Sequence, residues 1–220
     1  MTSIEPGTEP GAAPEFDPWR QRFLDLLAPW MGGAGVSPWY HALRSRYDEP
    51  QRHYHTFNHI QACLQLLDQV RAQLQEPVAV ELALWFHDVI YDPRAKDNEQ
   101  RSADFARTAL LSCRLDVNLV TQVERLILLT RHNATPDTED GRLLVDIDLA
   151  ILGAAPDLYQ RYEHWVRQEY AHVPRWLYRW GRKRLLRRFL RHPFLYATGH
   201  FRQQREAQAR HNLHQAIKNL

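Results

Sequence analysis

The chain is poor in sulfur: two cysteines, Cys63 and Cys113, stand among 220 residues, each inside a stretch with helical spacing. So few thiols exclude a disulfide framework and point to a reducing compartment, which makes the cytoplasm the expected location. No uninterrupted apolar run is long enough to span a bilayer. The N-terminal stretch "MTSIEPGTEPGAAPE" also lacks the basic start and apolar core of an export signal, so a soluble protein without a membrane partner is expected. An excess of one charge is missing too. Lys and Arg number 28 against 26 Asp and Glu, and the formal +2 gives the molecule as a whole no strong pull on nucleic acid or anionic lipid. Any basic patch is local.

Period-2 alternation is absent as well, and so are internal repeats. Without parallel strands there is no sheet to carry a dinucleotide site. What is present is a succession of 3.6-period segments, roughly 17–31, 38–48, 56–75, 78–91, 98–112, 116–131, 142–153, 156–172, 175–191 and 199–219. Pro, Gly, Asn and Asp clusters such as "YDPRAKDN" and "NATPDTEDG" punctuate them. Residues 1–15, rich in Pro, Gly and Glu with little to bury, read as a disordered tail. The expected fold is all-α: one compact multi-helix domain over residues 16–220, with short loops and a C-terminal helical extension.

Three stretches put ionisable groups on apolar helical walls. In "RHYHTFNHI", Thr56 is a natural N-cap for a helix whose inward stripe holds Ile60, Cys63, Leu64, Leu67, Val70 and Leu74. Steps of four back from Cys63 reach His59 and then His55, whereas His53 falls off the stripe. This is not the zinc-protease H-E-x-x-H pattern, because Thr56 stands where the general-base Glu would be. In "VAVELALWFHDVIYDP", a helix apolar on nearly every side ends in His87-Asp88. An unpartnered buried carboxylate there would cost several kcal/mol, so something cationic must compensate. In "GRLLVDIDLAILG", Asp146 and Asp148 interrupt an otherwise apolar segment, and at least one of them is expected inside. Asp148 is the preferred candidate, with Asp146 still open. Singly, each has a plainer explanation: hydrogen-bonded core histidines, a capping Asp88, a salt-bridging Asp pair.

Together, "YHTFNH", then "HD", then a late Asp on an all-α chain resembles the HD superfamily of metal-dependent phosphohydrolases. The metal motifs span roughly residues 50–155, while "NEQRSA", "EYAHV", "GRKRLLRRFL" and "ARHNL" are similar to a small bacterial branch of that superfamily. "YHTFNH" also resembles the Y-H-N-x-x-H stretch of cyclic-nucleotide phosphodiesterases, whose first His donates a proton and whose second binds metal; here Thr56 replaces their Asn.

The resemblance implies an HD-domain-like bundle that hydrolyses a small phosphate ester, nucleotide or pyrophosphate. It implies a divalent ion on His59, His87, Asp88 and Asp148. Two imidazoles and two carboxylates suit Mn, Mg, Fe, Co or Ni with open positions better than a closed structural zinc site. Asp88 would ligate and accept a proton, and His55 would protonate the leaving oxygen. The alternative from another class is a module that binds metal and a nucleotide or RNA without turnover.

Other groups are less constrained. His132, in "LLTRHNATP", is a candidate for a second ion or a phosphate contact, or simply a cation at a helix C-terminus. Asn98 and Glu99 fit a helix start, and Glu169 and Tyr170 have no chemical assignment. The segment "RWLYRWGRKRLLRRFLR" has eight Arg or Lys and no acid. Its Leu177, Trp180, Leu185, Leu186, Phe189 and Leu190 read as an inward stripe below a solvated basic face. Arg182 is the candidate for phosphate recognition, with RNA or a membrane surface as a further option for the same face.

Overall fold

The computed structural model describes residues 16–31 and 33–220, so the expected tail over residues 1–15 lies outside the described residues. Among the described residues there are ten α-helices and no strand, and the fold is all-α. No helix there is long and apolar enough to cross a membrane, and both cysteines are free and buried.

Helices α1 (Pro18–Leu27), α2 (Gly33–Tyr47) and α3 (Phe57–Val70) surround α4 (Pro77–Phe86), where every residue from Ala79 to Phe86 is buried. A helix apolar on all sides has no face to give to water, so it takes the centre. Trp85 meets the ring of Phe23 edge-on at 5.2 Å, and the Tyr47 hydroxyl donates to its carbonyl at 2.9 Å. Each large side chain buried this way contributes about 1.5–3 kcal/mol. The one acid in α4, Glu81, accepts from Arg22 Nε at 2.7 Å and also pairs with Arg71, which answers the desolvation cost.

Next, α5 (Asn98–Ser112) and α6 (Val117–Leu129) form a hairpin against α4. Then α7 (Glu139–Asp148) tightens into a 3-10 turn, Leu149–Gly153, before α8 (Pro156–Glu169), α9 (Arg175–Arg191) and α10 (Gly199–Asn219). Side-chain oxygens start several of these helices: Asp17 accepts from Trp19 and Arg20, Asp116 from Asn118, and Thr138 from Gly141.

The helical segments match the expected ones closely in the middle and less well at the ends. Helix α2 starts at Gly33 and contains Pro38, which the sequence suggests as a breaker. Val36, Tyr40, Leu43 and Tyr47, spaced four, three and four apart, are all buried and hold the helix together despite the lost hydrogen bond. Helix α4 stops at Phe86 rather than near residue 91. The buried guanidinium of Arg52 takes the Asp88 carbonyl at 2.6 Å and the Val89 carbonyl at 2.9 Å, so those oxygens have no need of a further helical turn. His87 and Asp88 therefore sit at and just beyond a helix end.

The last three helices are fastened to the rest by buried polar groups. Asp146 accepts from the Ala197 and Thr198 amides and from the Thr198 hydroxyl, at 2.7, 2.8 and 2.7 Å. The Asn212 amide donates to the carbonyls of Leu152 and Ala154. Asp140 does the same work at the entry to α4, accepting from the amides of Gln75 and Glu76.

Candidate metal centre

α3, the end of α4 and the end of α7 converge on one point. His59 and His87, both buried, bring their Nε2 atoms to 3.1 Å from each other. Asp148 Oδ1 is 3.2 Å from His59 Nε2 and 3.5 Å from His87 Nε2. These three residues each offer a donor atom within 4.8 Å of the other two. Asp88 falls outside this closest trio, yet its Oδ2 is 3.2 Å from His87 Nε2 and 3.6 Å from His59 Nε2.

The spacings fit a small divalent cation. An ion about 2.1 Å from two donors holds them about 3.0 Å apart at a right angle and about 3.4 Å apart in a tetrahedron. His87 Nδ1 donates to the Leu84 carbonyl at 2.9 Å, which leaves Nε2 as the lone-pair atom of the neutral ring. His59 Nδ1 has Cys63 Sγ at 3.7 Å.

Charge at this point does not close through hydrogen bonds alone. Burial works against the charged form of His87, but the Asp88 and Asp148 carboxylates hold it well above its ordinary pKa. Burial likewise opposes ionisation of the two acids. His87, with His55 and His59, still holds Asp88 low, and His132, His59 and His87 do the same for Asp148. A divalent cation would supply the same compensation that these protons supply.

Asp146 is not available to an ion, since its oxygens are engaged by Ala197 and Thr198. Two residues along α7, Asp148 faces the imidazoles, and its second oxygen is 3.1 Å from His132 Nε2. His132 reaches it from just past the end of α6, in a left-handed conformation with φ of 51°. Its Nδ1 is buried without a hydrogen-bond partner.

His55 does not extend the helical stripe, because α3 begins only at Phe57 and Thr56 makes no side-chain cap. Instead the amides of His53, Tyr54 and His55 all donate to Glu169 Oε1, at 2.8, 2.8 and 3.0 Å, which bends the segment into a turn. Glu169 Oε2 accepts from His55 Nδ1 at 2.8 Å and from the Tyr91 hydroxyl at 3.0 Å. Burial opposes the Glu169 charge, but these donors, His55 first, bring its pKa down to about 2. In return Glu169, with help from Asp88, raises that of His55 against the effect of burial. Glu169 is the group that sequence reasoning left without a role. Its partners are backbone amides more than a hundred residues away, and no local pattern announces them.

Arg182 lies elsewhere than expected in chemical terms. It is buried, and its Nε and Nη2 atoms engage Glu163 at 3.1 and 2.7 Å, so its fork is taken by a carboxylate rather than left open for phosphate. Its guanidinium lies 5.3 Å from the Tyr162 ring, which in turn packs on Tyr54 at 4.6 Å. The inward face of α9 is Tyr178, Arg182 and Leu186, while Leu177, Trp180 and Leu185 are exposed, contrary to the expected stripe. Pairing with Glu163 from α8 brings an arginine inside and turns Trp180 out. Asn98 grips the loop before α5, exchanging hydrogen bonds with the Asp92 backbone at both ends of its amide.

His55, Asp88, His132 and Asp148 line a cavity of about 470 Å³, whose wall also carries Lys96, Arg131, Arg182 and Arg188. That volume lies in the range of small-ligand pockets. A larger groove of about 680 Å³, between α8, α9 and α10, contains none of the candidate ligands. No protein family, curated protein or solved structure matches the chain.

Proposed function

We propose that this chain is a metal-dependent phosphohydrolase acting on a small phosphate ester, nucleotide or pyrophosphate, as its motif resemblance to the HD superfamily implies. The observation that carries this is the meeting of two imidazole Nε2 atoms with two carboxylates, Asp88 and Asp148, which themselves line a cavity that also carries Lys96, Arg131 and Arg188. His59, His87, Asp88 and Asp148 would hold the ion, with His132 on the outer oxygen of Asp148. A divalent ion held there would supply Lewis acidity, acidifying water and offsetting charge on phosphoryl oxygens.

The remaining work belongs to the chain. Lys96 and Arg131 attract and orient the phosphate. Arg182 positions Tyr162 and Tyr54 behind the ligands. Asp88 also accepts the proton of the attacking water. His55, whose pKa is raised by Glu169 against the effect of burial and whose ring stacks at 4.0 Å on Tyr91, donates a proton to the leaving oxygen. The same cavity serves a non-catalytic nucleotide-binding module equally well on shape, so turnover is the discriminating measurement.

The chain is stripped of metal, reloaded separately with Mn, Mg, Fe, Co and Ni, and given a panel of nucleotides, pyrophosphate and simple phosphate esters. Phosphate release is expected with at least one ion and none under chelation. His87→Ala is expected to lose both turnover and bound metal by elemental analysis. Hydrolysis at the native rate in chelator, or full metal content in His87→Ala, would overturn the assignment.

A further inference from the structure

α9 shows to solvent what a helix of a folded protein ordinarily hides. Trp176 and Trp180 are 72% and 60% exposed, whereas Arg182 on the other face is buried. Steps of four, four, three and four draw one outward line through Trp176, Trp180, Arg184, Arg187 and Arg191, about 22 Å long at 1.5 Å per residue. No acid interrupts the helix. Arg184 lies 5.6 Å from the Trp180 ring. The line also leads somewhere. A groove running past Trp180, Arg184, Arg187 and Arg191 shares Leu185 and Arg188 with the wall of the cavity above Asp88 and Asp148. Arg188 in turn donates to the His132 carbonyl at 3.3 Å.

We infer that this outward face binds single-stranded nucleic acid, with bases stacked on Trp176 and Trp180 and backbone phosphates against Arg184, Arg187 and Arg191. Aromatic platforms joined to a cationic track are the means by which proteins hold unpaired strands without reading sequence. Arginine adds stacking and forked phosphate contacts. A bilayer fits less well. A helix lying in a membrane interface carries apolar residues along its whole length with cations on the opposite face, but the exposed apolar residues of α9, Trp176, Leu177, Trp180 and Leu185, lie among its arginines, and the exposed surface beyond Leu185 is carried by Arg187, Arg188 and Arg191. The continuity through Arg188 directs the end of the strand into the cavity, which would make that end the substrate. This last step rests on the phosphohydrolase reading; the binding does not.

Fluorescence anisotropy of the full chain in chelator, with a labelled oligouridylate of about 12 nucleotides, reads binding without turnover. The strand is expected to bind, with affinity falling as salt rises. Arg184→Gln, Arg187→Gln and Arg191→Gln combined should flatten the log–log salt slope by about two, at about 0.7 per phosphate contact on a single strand. Trp176→Ala with Trp180→Ala should weaken binding about tenfold or more, with the helical circular dichroism unchanged. Binding that ignores both sets of substitutions, or binding only to phosphatidylglycerol-containing vesicles, overturns the inference. Restored metal separates the two proposals. Turnover of mononucleotides without strand binding removes this inference and leaves the phosphohydrolase, and strand binding without turnover of any substrate does the reverse.

Discussion

Two buried polar regions only two residues apart in sequence behave differently. Around Asp146, two amides and a hydroxyl meet a carboxylate, and each donor has its acceptor. Around Asp148, two imidazole nitrogens face each other at 3.1 Å between the carboxylates of Asp88 and Asp148. The first arrangement holds α7 to the start of α10. The second gathers two imidazoles and two carboxylates whose charges hold His87 well above its ordinary pKa, against the effect of burial.

The sharpest way to break the comparison is to exchange the fates of the two acids. Asp146→Ala leaves three donors unanswered and should cost about 4 kcal/mol in urea unfolding, with metal content per folded molecule unchanged. Asp148→Asn should instead lose its bound metal on dialysis, a change that Asp146→Ala should not produce.

Glu169 extends the contrast to acid. Its folded pKa of about 2 lies below the ordinary 4.5, so the stability it contributes is fully present above pH 4.5 and disappears as pH falls toward 2. The lowering amounts to about 3 kcal/mol as an upper bound. Glu169→Gln should therefore be less stable at pH 7 and lose less than the parent between pH 5 and 3 in parallel urea titrations. An equal loss in both proteins would remove Glu169 as the acid-sensitive tie.

Metal sharpens the same comparison from the other side. At a hundredfold excess over its dissociation constant, a divalent ion should stabilise the parent by about 2.7 kcal/mol and leave Asp148→Asn unmoved, read as melting-temperature shifts. The smallest effect is expected on the outer face of α9, where Trp180→Ala should change stability by no more than about 0.5 kcal/mol. A larger loss would mean that this ring packs in solution.

The all-α fold was legible because hydrophobic spacing alone separates helix from strand over segments this long. Helix ends were less so. Where α4 stops depends on Arg52, which approaches from before α3 and takes two carbonyls that the local sequence would leave to another turn. His59, His87 and Asp148 stood out because ionisable groups on apolar walls are conspicuous. Glu169 and Glu163 did not, since what makes each matter is a partner on a distant segment. The inward face of α9 was misread for the same reason: with Glu163 opposite, burying Arg182 costs less than its type suggests, and the usual ranking of residues by hydrophobicity inverts.

Position 132 shows local preference and chemical duty pulling apart. The chain turns there through a left-handed conformation that glycine adopts freely, yet it carries an imidazole that reaches the outer oxygen of Asp148. A glycine at that point would relax the bend and leave the carboxylate facing empty space. The bend thus serves as an outrigger, holding the ring against that oxygen from just beyond the end of α6.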